Sequence, residues 1–255
     1  MEKDKFTKIA AVAKDIVCRI LIDLENLVKF LSQKLAKVDV SDGNLKKRII
    51  SSLIMIPFAF YAIYFSKELF LFFGIAIAIL MVYEWVDISK RMGDQTKWRV
   101  IGFLYILIPI YCVIRLRFID SDIVFWMFLI IWTTDISAYF VGKIVGGKKL
   151  APSISPGKTW SGMYGALAAC ACLGLVSSLM FTGGALFFMF IAVIISLVEQ
   201  ASDLVESKFK RIFGVKDSGN IIPGHGGVLD RLDGMMLVAP FLLILVNIFP
   251  RQFGL

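Results

Sequence analysis

Apolar residues in this chain gather in long blocks, without the regular polar interruptions of a soluble core. Five blocks run uncharged for 14 residues or more, and a helix needs about 20 mainly apolar residues to cross hydrocarbon. The pattern predicts seven spans, at 49–65, 69–86, 100–114, 123–145, 162–181, 185–198 and 235–249. Residues 1–43 follow another rule. Ile9, Val12, Ile16, Ile20, Leu24, Leu27, Leu31 and Leu35 recur every three or four residues with charges between them. That spacing predicts one amphipathic helix of about ten turns. It is too charged to span, so it would lie on the membrane surface or pair with a partner helix. Ser41-Asp42-Gly43-Asn44 ends it. The expected fold is therefore an all-α, polytopic transmembrane protein of about seven spans with an N-terminal amphipathic helix. Two domains are expected, the helix at 1–43 and a transmembrane domain at 44–255.

Composition agrees: 58% of residues are hydrophobic, against about 45–50% in soluble domains. Net charge is +8, which on a soluble chain would suggest nucleic acid. Here orientation accounts for it. With the N-terminus inside, sixteen Lys and Arg after residue 43 fall on inner segments and four on outer ones. The bias predicts a cytosolic N-terminus and puts both long polar loops on the cytosolic face. Nucleic acid is not called for. Cys18, Cys112, Cys170 and Cys172 form no C-x-x-C pair and sit in or beside apolar stretches, so neither disulfides nor zinc are expected. The charged start, Met1 to Lys8, lacks the pattern of a cleavable signal.

The chemistry concentrates between Glu199 and Gly234. Glu199, Asp203 and Glu206 stand at i, i+4 and i+7 and would share one face of a helix continuing the sixth span. Lys208, Lys210, Arg211 and Lys216 follow, then a glycine-rich loop, then Asp230, Arg231 and Asp233. Carboxylates suit a hard divalent cation such as Mg²⁺. Lys, Arg and glycine-rich backbone suit phosphates. Together they are what metal-assisted phosphoryl or nucleotidyl transfer requires. A solvated cytoplasmic loop would explain the bases but not the acids among them. Asp135 lies deep in an apolar span, where an acid is costly and usually functional or internally paired. Glu84 and Asp87 close the second span and read equally well as interfacial residues facing water.

The run from Ser207 to Asp233 resembles the signature of the phosphatidate cytidylyltransferase (CDP-diacylglycerol synthase) family. The matching positions are Ser207, Phe209, Lys210-Arg211, Lys216-Asp217, Gly219, Ile222-Pro223, His225-Gly226-Gly227-Val228, Asp230-Arg231-Leu232 and Asp233. Ser155-Pro156-Gly157-Lys158-Thr159 is similar to the family's S-P-x-K-T loop, and Asp135, Ala138, Tyr139 and Gly142 to its D-x-x-A-Y-x-x-G stretch. One departure is Ser161, where the family usually has Glu. The resemblance covers the chain from about residue 45 onward.

It implies transfer of CMP from CTP to phosphatidic acid, giving CDP-diacylglycerol and pyrophosphate. It implies Mg²⁺, as two divalent ions or one with a monovalent partner, with Asp203 and Asp230 as metal ligands. Asp217 and Asp233 are second-rank, as ligands, supporting residues or structural ion pairs. His225, the only histidine, would orient or donate to a phosphate oxygen, or shape its loop. Lys158, Lys210, Arg211, Lys216 and Arg231 would neutralise phosphate oxygens. The Ser155 hydroxyl and the backbone at Gly226 and Gly227 would also approach substrate. The partners read this way are CTP, phosphatidic acid and the bilayer, in a bacterial inner membrane or an organelle membrane, and the reading admits a homodimer. Other readings are a CTP-dependent lipid kinase, another lipid cytidylyltransferase, and, in a different class, an ion-coupled transporter.

Overall fold

The computed structural model describes residues 60–219, 221 and 226–255. The amphipathic helix expected at 1–43, most of the first span and His225 lie outside the described residues. Residues 60–65 are helical. After them come α1 (Lys67–Ser89), α2 (Gln95–Ile119), α3 (Ser121–Val145), β1 (Lys149–Ala151), β2 (Ser155–Thr159), α4 (Trp160–Ser177), α5 (Ala185–Ile212), α6 (Leu229–Leu232) and α7 (Met235–Ile248). Among the described residues, α1 to α5 and the stretch Leu229–Ile248 are long and apolar enough to cross a membrane, at the places where the apolar blocks predict spans.

Polar side chains start the helices where the sequence turns from loop to apolar block. Ser66 accepts from the Leu69 N–H at 3.1 Å, Asp94 from Lys97 at 3.1 Å and Thr159 from Gly162 at 3.1 Å. Each satisfies a backbone donor that the first turn leaves without a partner. Gly146, at φ 69°, ends α3 in the left-handed region open to glycine.

Helices that carry motif residues cross closely. A Cβ on Gly162 would come 2.6 Å from the Ala138 carbonyl oxygen, and one on Gly174 would come 2.5 Å from that of Phe188. Small residues at these points let α4 lie directly against α3 and α5, the usual way membrane helices gain contact without a hydrophobic driving force. Between α3 and α4 the chain forms an antiparallel hairpin pairing Lys149 with Thr159 and Ala151 with Ser155. The sequence reading has a loop there and no strands, because segments of three and five residues are too short to show alternation.

Aromatic side chains fix the far end of α5. Trp85, Trp98, Tyr105, Phe209 and Phe213 pack edge-on or tilted, with centroids 5.1–6.3 Å apart. The Trp85 indole N–H donates to the Trp98 carbonyl at 2.7 Å. Phe209 thus locks the turn that carries Lys210, and the functional residues sit on a braced helix end.

Candidate active site

Helix α5 has 28 residues, about 42 Å of helix against about 30 Å of hydrocarbon. Its later turns therefore run from the membrane core into the interface. Glu199, Asp203 and Glu206 occupy those turns. Glu199 and Glu206 are buried, at 1% exposure each, and Asp203 is half-buried. One carboxylate oxygen each from Asp203, Glu206 and Asp233 lies within 4.8 Å of the others. Like charges this close repel, so the cluster needs cations.

Two lysines supply part of that charge. Lys158, on β2, forms an ion pair with Asp203, joining the S-P-G-K-T hairpin to the acidic face of α5. Lys210 Nζ stands 2.6 Å from Glu206 Oε2 and 2.8 Å from Asp230 Oδ1. Asp230 accepts in addition from the backbone N–H groups of Ser218 and Gly227, both at 2.9 Å. Gly226 takes φ 84° next to it, and a Cβ there would sit 3.1 Å from Asp230 Oδ2. Oxygens remain unsatisfied even so. Glu206 Oε1 and Glu199 Oε2 are buried without a hydrogen-bond partner among the described residues, a costly state that a bound cation would relieve. Hard oxygen donors grouped this way fit a divalent ion such as Mg²⁺.

Beside the cluster a cavity of about 620 Å³ opens between α3, the hairpin, α4 and α5. Asp135, Glu199, Lys143, Lys149 and Lys158 line it together with Tyr139 and Met163. The D-x-x-A-Y-x-x-G stretch and the hairpin thus share one chamber, and Asp135 opens onto it from within the span.

The expected site residues fall into three groups. Asp203, Asp233 and Lys158 converge, with Glu206 as a further carboxylate of the cluster. Asp230 meets them through Lys210, with its own oxygens turned to that lysine and to backbone N–H groups. Lys210 accordingly faces carboxylates. The Arg211 guanidinium donates to the carbonyls of Ile154 and Val215 at 3.2 and 3.1 Å, tying the hairpin to the end of α5. Ser155 lies on β2, half-buried, Gly227 is buried, and Lys216, Asp217 and Arg231 are exposed. Ser161, at the position where Glu is usual, hydrogen-bonds the Gly146 carbonyl and the Thr159 hydroxyl. It closes the base of the hairpin, and Asp203 is the acid that holds Lys158. Glu84 is the residue that sequence reasoning misplaces: it is 2% exposed and bound to the signature loop. A lone acid at the end of an apolar span carries no sign of a partner more than 130 residues away.

Known proteins of similar sequence show the family. Residues 46–122 and 99–249 match the cytidylyltransferase family. The phosphatidate cytidylyltransferase of Rickettsia bellii is 40% identical over 231 residues, covering 85% of this chain and 96% of that protein. That of Rickettsia typhi is 37% identical over 207 residues, covering 77% and 90%. That of Brucella abortus is 34% identical over 256 residues, covering 81% and 95%. The matched segments contain the hairpin, the acidic face of α5 and the signature loop, and the chain belongs to the cytidylyltransferase family.

Proposed function

We propose that this protein transfers the CMP group of CTP to phosphatidic acid, forming CDP-diacylglycerol and releasing pyrophosphate. The observation that carries the reading is the Lys158–Asp203 ion pair, which joins the S-P-G-K-T hairpin to the acidic face of α5 beside the cavity. An oxygen of the lipid phosphate attacks the α-phosphorus of CTP. The new P–O bond forms as the bond to the oxygen bridging the α- and β-phosphorus breaks, and pyrophosphate leaves with that electron pair. A phosphate monoester has a second pKa of about 6, so the attacking group is largely ionised at neutral pH and needs no strong base.

The chain's work is positioning and charge neutralisation. Lys158 at the cavity wall, together with Arg211, Lys216 and Arg231, would neutralise phosphate oxygens, and Ser155 and the backbone at Gly226 and Gly227 would approach them. Lys210 holds Glu206 and Asp230 in place. Asp203, Glu206 and Asp233 would hold Mg²⁺, with Asp230 reaching the same cluster through Lys210. When bound, the ion supplies charge compensation to the reacting phosphates and to the departing pyrophosphate. His225 and Asp217 belong to the same signature and would steady a phosphate or the loop. The basic bias of the inner segments supports a cytosolic site and N-terminus, with the acyl chains left in the bilayer. Residues 1–43 precede the segments that match the family and would add docking or partner binding, not chemistry.

Purified protein tests the reaction. Pyrophosphate should appear only when CTP, phosphatidic acid and Mg²⁺ are all present. A CTP-dependent lipid kinase would release CDP instead, and a transporter neither.

A further inference from the structure

Glu84 sits near the inner end of α1, an apolar membrane helix, yet its carboxylate is 2% exposed. An acid buried there is unfavourable unless its oxygens are hydrogen-bonded, and they are. Glu84 Oε1 accepts the Val228 N–H at 2.9 Å. Oε2 accepts the Leu229 N–H at 2.9 Å and the Ser218 hydroxyl at 3.2 Å. The loop backbone lies against the carboxylate: a Cβ on Gly219 would come 2.7 Å from Oε1, and one on Gly227 would come 2.8 Å from both oxygens. Asp87, three residues on, is exposed and pairs with Lys90, so of the two acids at this helix end only Glu84 is turned inward.

These bonds interlock with those of Asp230. Ser218 gives its hydroxyl to Glu84 and its N–H to Asp230. Gly227 gives its N–H to Asp230, while the next two residues give theirs to Glu84. The two acids grip both ends of the signature loop, one from behind and one from the side of Lys210. We propose that Glu84 is a positioning residue that fastens the two ends of the 218–229 loop, so that Asp230 and the Gly226-Gly227 backbone keep their places beside α5. It touches the loop and no reacting group. The inference rests on the cytidylyltransferase reading for its catalytic consequence, and on the hydrogen bonds alone for its structural one.

The test uses the full chain in detergent with Glu84→Gln, in which an amide donor replaces one acceptor oxygen and faces a backbone N–H. Loss of one such charge-assisted bond should speed amide exchange across residues 226–232 by about tenfold or more, with exchange in α3 and α7 unchanged. Turnover at saturating CTP and phosphatidic acid should fall by about tenfold or more, with KM for phosphatidic acid moving less than about twofold. Asp87→Asn should change none of these. If Glu84→Gln fails to insert, Ser218→Ala decides. It removes the hydroxyl bond only, and should raise loop exchange and lower turnover by about threefold. Unchanged loop exchange, or exchange that rises equally throughout α3 and α7, would overturn the proposal. A wild-type protein that makes no CDP-diacylglycerol would refute the functional reading instead, and loop exchange would still decide the anchor.

Discussion

Lys210 offers the sharpest test of how the acid cluster is held. Its ammonium lies between Glu206 and Asp230, with side-chain exposures of 13%, 1% and 8%. Lys210→Met keeps most of the apolar stem and removes the charge. Asp230 would retain the Ser218 and Gly227 N–H groups, whereas Glu206 has no hydrogen bond to fall back on among the described residues. Leaving a buried charge uncompensated costs about 3–5 kcal/mol. At about 2–4 °C per kcal/mol for a chain of this size, the melting temperature should fall by about 6–20 °C. The assay is a thermal melt of purified protein in detergent with EDTA, so that no added cation takes the lysine's place. Glu206→Gln combined with Lys210→Met should melt above Lys210→Met alone, because the stranded charge is gone; coupling between such neighbours is about 0.5–3 kcal/mol. If instead Lys210→Met melts within about 2 °C of the parent while KM for CTP rises, Lys210 serves phosphate and not the carboxylates, and the reasoning fails.

Three further outcomes follow from the same account. Asp203→Asn should lower turnover by about a hundredfold or more, with membrane insertion intact; near-normal activity across a range of Mg²⁺ concentrations would remove Asp203 from the proposed metal ligands. On a background without native cysteines, Ser155→Cys and Lys208→Cys should react with an impermeant maleimide from the same, cytosolic face, and labelling from opposite faces would break the shared site. Deleting residues 1–40 should leave turnover in detergent within about twofold of the full chain, since Lys46, Lys47 and Arg48 remain to orient the first span. A truncated protein that inserts and stays monodisperse yet loses most activity would make residues 1–40 part of the catalytic function.

What the sequence makes legible follows the physics of each signal. Spans announce themselves because hydrocarbon excludes charge over about 20 residues, and the helices α1 to α5 and α7 lie where those blocks do. The one-face spacing of Glu199, Asp203 and Glu206 is visible because 3.6-residue periodicity survives on charged residues, and α5 runs unbroken through them to Ile212. Contacts between distant segments leave no such periodic mark. Glu84 reads as a residue that could face water, and its burial against Val228 and Leu229 becomes visible only in three dimensions. Lys210 reads as a phosphate ligand because it belongs to the signature run, although Glu206 four residues earlier is a counter-charge that helical spacing makes visible. In the fold it spans two acids. Asp230 reads as a partner of Asp203, and its oxygens turn to Lys210 and backbone N–H groups.

The central claim is the direction of group transfer, and labelled CTP tests it most directly. Purified protein in mixed micelles with phosphatidic acid receives CTP labelled at the α-phosphate in one reaction and at the γ-phosphate in another. The account predicts that α-label enters the organic phase as lipid while γ-label stays aqueous as pyrophosphate. Label from the γ-phosphate in the lipid fraction, or no lipid label from either, would contradict it.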